Sequence, residues 1–420
     1  MEKSKDLSIV PIFLVVFIDL IGVGIVIPIL APMFLDPHSP LFAVGTDLSV
    51  RTAMLGLLLA LYPLAQFFGA PILGSLSDFH GRKKLLLVSL LGTFIGYVLF
   101  ALGISTGNLW LLIIGRIIDG FTGGNISIAQ SAIADLSDKE SKAKNFGLIG
   151  MAFGLGFILG PFIGGKLGDP NVVSWFNYST PFWFAAILCA LNIVSLYFMF
   201  NEKKKESVRK DIDLFTGIKN LKIAFGVPNL RIAFWAVFLI SFGFTFFTQF
   251  FQVYLIERFS YTQSQIGDYF AFLGICVAIS QGIIVRWVSK RFSPQKALSV
   301  SVLMLAVSIS LYLLISDSSH LYYVVPLIAI FNGITLPNTT ALVSNLGVEK
   351  SQGELLGINQ SVVAVAWSLP AIVAGLVSSI DVRLPIMISS IVLFIAWLFF
   401  VLFYHEKEKK IFHEQTKFSH

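Results

Sequence analysis

Long apolar stretches alternate with short polar ones along the whole chain. Twelve apolar stretches can be marked, at about 9–35, 53–76, 85–105, 109–135, 144–168, 180–200, 231–256, 265–288, 296–316, 321–345, 354–379 and 384–404. At 1.5 Å per residue, about 20 residues cross the hydrocarbon of a bilayer, so each stretch predicts one transmembrane helix. The apolar residues come in unbroken runs rather than with the one-sided periodicity of a soluble helix. One long polar interruption, 201–230, separates six stretches from the next six. It carries Lys203, Lys204, Lys205, Arg209 and Lys210, then an amphipathic piece (Leu214, Phe215, Ile218, Leu221, Phe225) suited to lie along a membrane surface. The expected organisation is an amino-terminal six-helix bundle at 1–200, a central loop at 201–230, a carboxy-terminal six-helix bundle at 231–404 and a tail at 405–420. The first run is too long for the apolar core of a signal peptide and has no clear small-residue cleavage site, so it is expected to stay as span 1.

Composition sharpens this reading. The chain is 56% hydrophobic and 13% charged, with mean hydropathy +0.82, against about 25% charged in soluble domains. A formal charge of +6 could point to nucleic acid, but the basic residues sit between apolar runs and read as membrane topology. Of the 30 Lys and Arg residues, Arg51, Lys166, Arg258 and Arg383 fall in the loops on one side, and Arg116 lies inside a span; the rest share the other side with both termini and the central loop. That bias places the termini and central loop in the cytoplasm. Cys189 and Cys276 both fall inside apolar runs and read as packing residues, not as a disulfide or metal framework.

Three charged residues inside the spans stand out: Asp19 in span 1, and Arg116 and Asp119 in span 4. Each costs roughly 2.5–3.5 kcal/mol at mid-bilayer on the lowest scales. Arg116 and Asp119 are three residues apart, on one helix face. Counted from the starts of their spans, Asp19 and Asp119 both lie about 15 Å deep. Burial favours the neutral form of a carboxylic acid and a neighbouring guanidinium favours the charged form, so the combination makes a switchable proton site. The alternatives are a packing acid hydrogen-bonded to a neighbouring helix for Asp19 and a static ion pair for Arg116 and Asp119.

The halves resemble each other. Asp119-Gly-Phe-Thr-Gly-Gly-Asn125 in span 4 matches Asn332-Gly-Ile-Thr-Leu-Pro-Asn338 in span 10. The loop after span 2, with Gly74, Arg82 and Lys83, matches that after span 8, with Gly282, Lys290 and Arg291; Gly160-Pro161 in span 5 matches Leu369-Pro370 in span 11. Three matches in one order indicate a duplicated six-span unit, the architecture of alternating-access carriers. The embedded charges are not duplicated. Ala329 stands opposite Arg116, Asn332 opposite Asp119 and Ile240 opposite Asp19.

Two motifs carry a resemblance. The loop Gly74-Ser-Leu-Ser-Asp78-Phe-His-Gly81-Arg82-Lys83-Lys84 resembles the signature between spans 2 and 3 of the major facilitator superfamily. The resemblance implies a cytoplasmic gate made by Asp78 and Arg82 with an acid at the end of span 4, matched here by Asp135. Gly74 would let helices approach and Gly81 would permit the tight turn. The plain alternative for the cluster is ordinary cytoplasmic positive charge. Span 5 reads Gly150-Met-Ala-Phe-Gly154-Leu-Gly156-Phe-Ile-Leu-Gly160-Pro161-Phe-Ile-Gly164-Gly165. Gly156, Gly160 and Gly164 bare one helix face for close packing, and Pro161 bends the helix. Packing is all the glycines prove by themselves, but the pattern, with Gly165, is similar to the span-5 signature of proton-coupled exporters. With the acid of span 1 and the Arg-x-x-x-Gly of span 4, the chain resembles the twelve-span drug:proton antiporters, the tetracycline-exporter group among them. One departure is that Arg286 sits where the duplicate of Asp78 would fall.

The expectation is therefore an all-α membrane protein of twelve transmembrane helices in two pseudo-symmetric six-helix bundles. It would be a proton-coupled exporter of a small amphipathic molecule or drug, working as a single chain in a bacterial inner membrane and driven by the proton gradient without a cofactor. The family implies that spans 1, 4, 7 and 10 line the cavity. Asn125, Gln130, Phe246, Gln249, Asn332, Asn338 and Gln360 are the candidate cavity residues, with lipid-facing filler the alternative for any one Phe. The sequence carries no phosphate-binding Gly-Lys-Ser/Thr loop, no His pair with metal-ligand spacing and no nucleophile–base arrangement. A metabolite or siderophore transporter of the same superfamily, exporter or proton symporter, is the alternative. A transport-inactive receptor or scaffold lacks any signalling domain in the sequence, and a membrane enzyme lacks a catalytic constellation.

Overall fold

A computed structural model describes residues 2–136, 142–200, 215–344 and 352–404. Span 1 is Glu2–Leu35, span 2 Leu48–His80 and span 3 Arg82–Thr106; span 4 comes in two pieces, Leu109–Thr122 and Asn125–Leu136. Span 5 is Lys142–Leu167, span 6 Thr180–Met199 and span 7 Pro228–Phe259. Span 8 runs from Gln263–Ile279 through a wider π turn, Ser280–Ile284, into Val285–Ser289. Span 9 is Pro294–Ser310 with a 3-10 end, Leu311–Leu314; spans 10 and 11 are Leu321–Ser344 and Gln352–Ser378; span 12 is Leu384–Phe399, ending in a π turn, Phe400–Tyr404. Among the described residues eleven helices are long and apolar enough to cross a membrane, and span 5 contributes the apolar stretch Gly154–Leu167. The result is a twelve-span arrangement in which helices satisfy their own backbone groups, as a lipid environment requires.

Local chemistry sets the helix ends. Gly81 has φ 95°, so the turn between spans 2 and 3 needs a residue without a Cβ. Asn108 accepts from Trp110 N to start span 4. Thr262 and Gln265 form a capping box at span 8, and Ser293 with Pro294 starts span 9.

The helices form two six-helix bundles. One core gathers residues of spans 1–6, joined by Phe246, Phe250 and Val253 of span 7 and Ala371 and Ala374 of span 11. A second gathers spans 7–10 and 12 around Phe247, Phe251, Tyr254, Tyr269 and Tyr312. The Tyr254 hydroxyl donates to Tyr312 O at 2.7 Å, and the Tyr269 and Tyr312 hydroxyls bond to each other.

The bundles touch at one end and part at the other. At the end carrying residues 36–47, a Cβ on Gly56 of span 2 would lie 3.0 Å from Gly375 Cα of span 11, and one on Gly165 of span 5 would lie 2.9 Å from Gly267 Cα of span 8. Lys166 adds an ion pair to Asp268 at 2.8 Å and a bond to Ser264 at 2.6 Å, again joining spans 5 and 8. At the end carrying Gly81, Cβ atoms on Gly74, Gly282 and Gly357 would meet nothing within 4 Å among the described residues. Gly56 and Gly74, and likewise Gly357 and Gly375, are separated by about 27 Å of helix. Spans 2 and 11 therefore diverge like the arms of a V.

The amphipathic helix Thr216–Gly226 is tucked against this opening rather than lying free: Gly217 abuts the Phe67 ring of span 2, and Asn220 donates to Ser361 Oγ of span 11 at 3.0 Å. The rest of the central loop, 201–214, and the tail, 405–420, lie outside the described residues.

Candidate functional site

The site is built on span 5 pressed against span 1. Gly156 faces Leu20, Gly160 faces Gly24 and Gly164 faces Ile25; a Cβ on Gly160 would lie 2.7 Å from Gly24 Cα. Gly165 and the Pro161 carbonyl instead face Gly267 of span 8. The motif therefore serves two surfaces, one packing span 1 within its bundle and one meeting the other bundle. Close backbone approach on both sides fixes span 1, and with it Asp19, inside the amino-terminal bundle.

Asp19 is 4% exposed and accepts at Oδ1 from Asn125 Nδ2 at 2.8 Å. Arg116 and Asp119 are buried too, and Arg116 Nη1 lies 3.9 Å from Asp119 Oδ2. That is a loose pair. The Arg116 guanidinium also rests over the Tyr62 ring of span 2, 4.9 Å from its centroid, and 5.9 Å from that of Phe100 of span 3. Cation–π contact supplies part of what the distant carboxylate does not. Asp119 packs against Gly96, and the Tyr97 hydroxyl of span 3 fills the space beside Gly22 of span 1. Both carboxylates interact electrostatically with the Tyr62 and Tyr97 hydroxyls. The structure thus brings Asp19, Arg116, Asp119 and Asn125 into one buried polar cluster, with Tyr62 and Tyr97 between them.

Tyr62 and Tyr97 are residues that sequence reasoning missed. An aromatic in an apolar run looks like packing, and the signal that marks them is contact with residues of other spans. Gln66 is a third: its Nε2 donates to Gly123 O at 2.8 Å, across the break in span 4.

The loop motif makes contacts within its own bundle. Arg82 pairs with Asp78 at 2.5 Å and donates to Ser77 Oγ at 2.5 Å, while Lys83 donates to Tyr197 O of span 6 at 2.7 Å. Asp135 belongs to the second piece of span 4, but its side chain lies outside the described ones.

The seven residues assigned to a cavity differ in burial. Asn125 is fully buried on Asp19. Phe246 is 1% exposed, in the core and edge-on to Phe242. Asn338 donates to Ile334 O of its own helix at 2.7 Å. Gln130, Gln249 and Asn332 are half-buried and Gln360 is exposed. Among the described residues, no group of three or more His, Cys, Asp or Glu side chains is placed to hold a metal ion.

Comparison with known proteins agrees with this architecture. The chain is 31% identical over 359 residues to the tetracycline resistance protein, class C, of Escherichia coli, covering 84% of this chain and 85% of that one. It is 27% identical to the quinolone resistance protein NorA of Staphylococcus aureus (strain COL), covering 88% and 90%. The crystal structure of a D-xylose-proton symporter superposes with a TM-score of 0.76 at 16% identity, over 94% of this chain and 98% of that one, which shows a shared fold. The family pattern described as Major Facilitator Superfamily matches residues 12–371. A twelve-span, two-bundle membrane protein matched over that length belongs to the Major Facilitator Superfamily, whose members are transporters and not enzymes.

Proposed function

We propose that this chain exports a small amphipathic molecule, a tetracycline or another drug, in exchange for protons. The observation that carries the reading is the buried cluster in which Asp19 of span 1 bonds to Asn125 while Asp119 faces Arg116. Two carboxylates are held away from solvent and the one guanidinium beside them pairs with Asp119, so among the described residues the charge of Asp19 is left without a cation. Such a group gains from taking up a proton and releases it when the surroundings rehydrate. The names of the relatives support drugs as the cargo. The Lys and Arg distribution supports placing the termini, the central loop and the open end of the V in the cytoplasm. With that orientation the structure is the inward-facing member of an alternating-access pair, and Asp78 and Arg82 stand ready to latch the cytoplasmic end when it closes. The gradient supplies the energy without a cofactor. A single chain in a bacterial inner membrane is the working unit.

In this mechanism a proton arriving from outside neutralises Asp19 or Asp119, weakens substrate binding and permits return to the inward-facing state. The test is everted vesicles holding an acid-inside gradient, challenged with tetracycline or a quinolone. Substrate addition is expected to dissipate the gradient with the wild-type chain and not with Asp19→Asn. If Asp19→Asn and Asp119→Asn both keep coupled transport, the mechanism is wrong. Flux in the opposite direction would instead favour an uptake symporter.

A further inference from the structure

Span 4 is interrupted at Gly123 and Gly124, and three other spans hold the interruption. Ser89 Oγ of span 3 donates to Thr122 O, and Gln66 Nε2 of span 2 donates to Gly123 O at 2.8 Å. Asn125, the first residue of the second piece, donates Nδ2 to Asp19 Oδ1 of span 1 at 2.8 Å. The first two ties join groups that do not ionise. The third has an ionisable partner, and it is sealed: Asn125 is 0% and Asp19 4% exposed.

Each side chain of that pair has a second polar atom in reserve. Asp19 Oδ2 and Asn125 Oδ1 have no hydrogen-bond partner among the described residues. A carboxamide offers both donors and an acceptor, whereas a carboxylate only accepts and a carboxylic acid also donates. The pair can therefore bond in either protonation state, with the amide reversed between them.

We infer that Asn125 is the positioning residue that transmits protonation of Asp19 to the break in span 4. This rests on the proton-coupled reading above. With Asp19 ionised, Nδ2 donates to the carboxylate. When a proton from the aqueous phase binds Oδ2, the new O–H donates to Asn125 Oδ1 as the carboxamide turns to meet it. The O–H bond is the only bond formed, and the side-chain charge goes from −1 to zero. A hydrogen bond to a charged group is roughly twice as strong as one between neutral groups, so the tie slackens on protonation. The second piece of span 4 then turns more freely about Gly123 and Gly124, where two glycines offer little resistance.

The other titratable groups facing Asp19 are Asp119 of span 4, Tyr62 of span 2, Tyr97 of span 3 and Cys189 of span 6, with Arg116 the charged group beside them. Span 5 presents glycines to span 1 at Gly156, Gly160 and Gly164. Asp119 has Arg116 as its counter-ion. Among the described residues Asp19 has only the amide as a hydrogen-bond partner, which is why its change of charge is felt there.

The test follows the separation of the bundles directly. Spin labels go on the full chain in lipid nanodiscs, at Val44→Cys and Ile380→Cys, with Cys276→Ser; Val44 is 98% and Ile380 79% exposed, at the end where the bundles meet. Distance distributions are read against pH without substrate. The wild type is expected to redistribute with one midpoint. Asn125→Leu, close in volume but unable to bond, is expected to move that midpoint up by about one pH unit, a tenfold change in proton affinity. Asn125→Asp, which sets a second carboxylate against the first, should move it further the same way. Folded, monodisperse variants with the wild-type midpoint would overturn the inference and leave proton coupling standing. If Asn125→Leu does not fold, the nearly isosteric Asn125→Asp decides. A wild type indifferent to pH would overturn the proton-coupled reading and this inference together.

Discussion

Span 4 and span 10 carry glycine, threonine and asparagine at the same spacing, and the two bundles use them differently. The shared part is structural. Thr122 Oγ1 donates to Ile118 O at 2.8 Å, and its counterpart Thr335 donates to Phe331 O at 2.8 Å. Gly120 and Gly333 each admit a close neighbour, the Tyr62 carbonyl in one half and the Ser280 hydroxyl in the other. The divergence begins at the asparagines. Asn125 reaches across to Asp19, whereas Asn338 turns back onto its own helix at Ile334. Gly123-Gly124 interrupts span 4, while Leu336-Pro337 lies within an unbroken Leu321–Ser344. Among the described residues every buried charged side chain belongs to the first half: Asp19, Arg51, Arg116, Asp119 and Asp169. The second half has Ile240, Ala329 and Asn332 at the matching positions, and its core gathers around Phe247, Phe251, Tyr254, Tyr269 and Tyr312. The comparison teaches that close contacts at small residues recur in both copies, while the buried charges are kept in one of them.

The largest expected effect separates the halves outright. Asp119→Asn leaves Arg116 buried without its carboxylate, and breaking a buried pair costs about 3–5 kcal/mol. Thermal unfolding in detergent should show that loss, and vesicle flux should show loss of coupling. Asn332→Ala at the matching place in span 10 should do neither, and if it did, the division of labour would fail. Gly160→Val comes next. Its Cβ meets the Gly24 backbone, and overpacking of that kind costs about 1–3 kcal/mol. Gly154→Ala, with open space around it, should stay within about 0.5 kcal/mol; equal losses in the pair would mean that the span 1 contact is not what the motif provides.

Smaller still is Asn338→Leu. It removes one bond within a helix, worth about 1 kcal/mol, and should leave the pH midpoint of bundle separation unmoved, in contrast to Asn125→Leu. The smallest effect is expected at Lys166. Its pair with Asp268 is part-exposed, so Lys166→Gln should shift the balance between open and closed ends by no more than about fivefold, the order of 1 kcal/mol. The exchange Lys166→Asp with Asp268→Lys should restore it. Label distances between positions 44 and 380 report both.

Much of the fold is legible in the sequence because a bilayer demands about 20 apolar residues per crossing, a signal that survives without any tertiary context. Asp19, Arg116 and Asp119 stand out for the same reason, as charges where charges are costly. Other features are not legible. The run 109–135 reads as one span, and nothing in its hydropathy announces the break at Gly123 and Gly124. The glycine period of span 5, Gly156, Gly160 and Gly164, reads as one bare face and meets span 1 as such, but nothing in the sequence tells that Gly165 beside it meets span 8. Asn125 reads as a cavity residue from its place on span 4, and nothing in the sequence tells that its partner lies 106 positions away. Tyr62 and Tyr97 are hidden among the other aromatics.

The sequence by itself determined that this is a twelve-span chain built from a duplicated unit, with the charges that stand out inside its spans, Asp19, Arg116 and Asp119, confined to the first copy. Length and polarity are local properties, and a membrane reads them span by span. Only the tertiary structure decided which of those groups meet: Asp19 with Asn125, Arg116 with Tyr62 as well as Asp119, and Lys166 with Asp268 across the bundles. The facing of one helix on another is set by where small side chains allow close approach, and that depends on both partners at once.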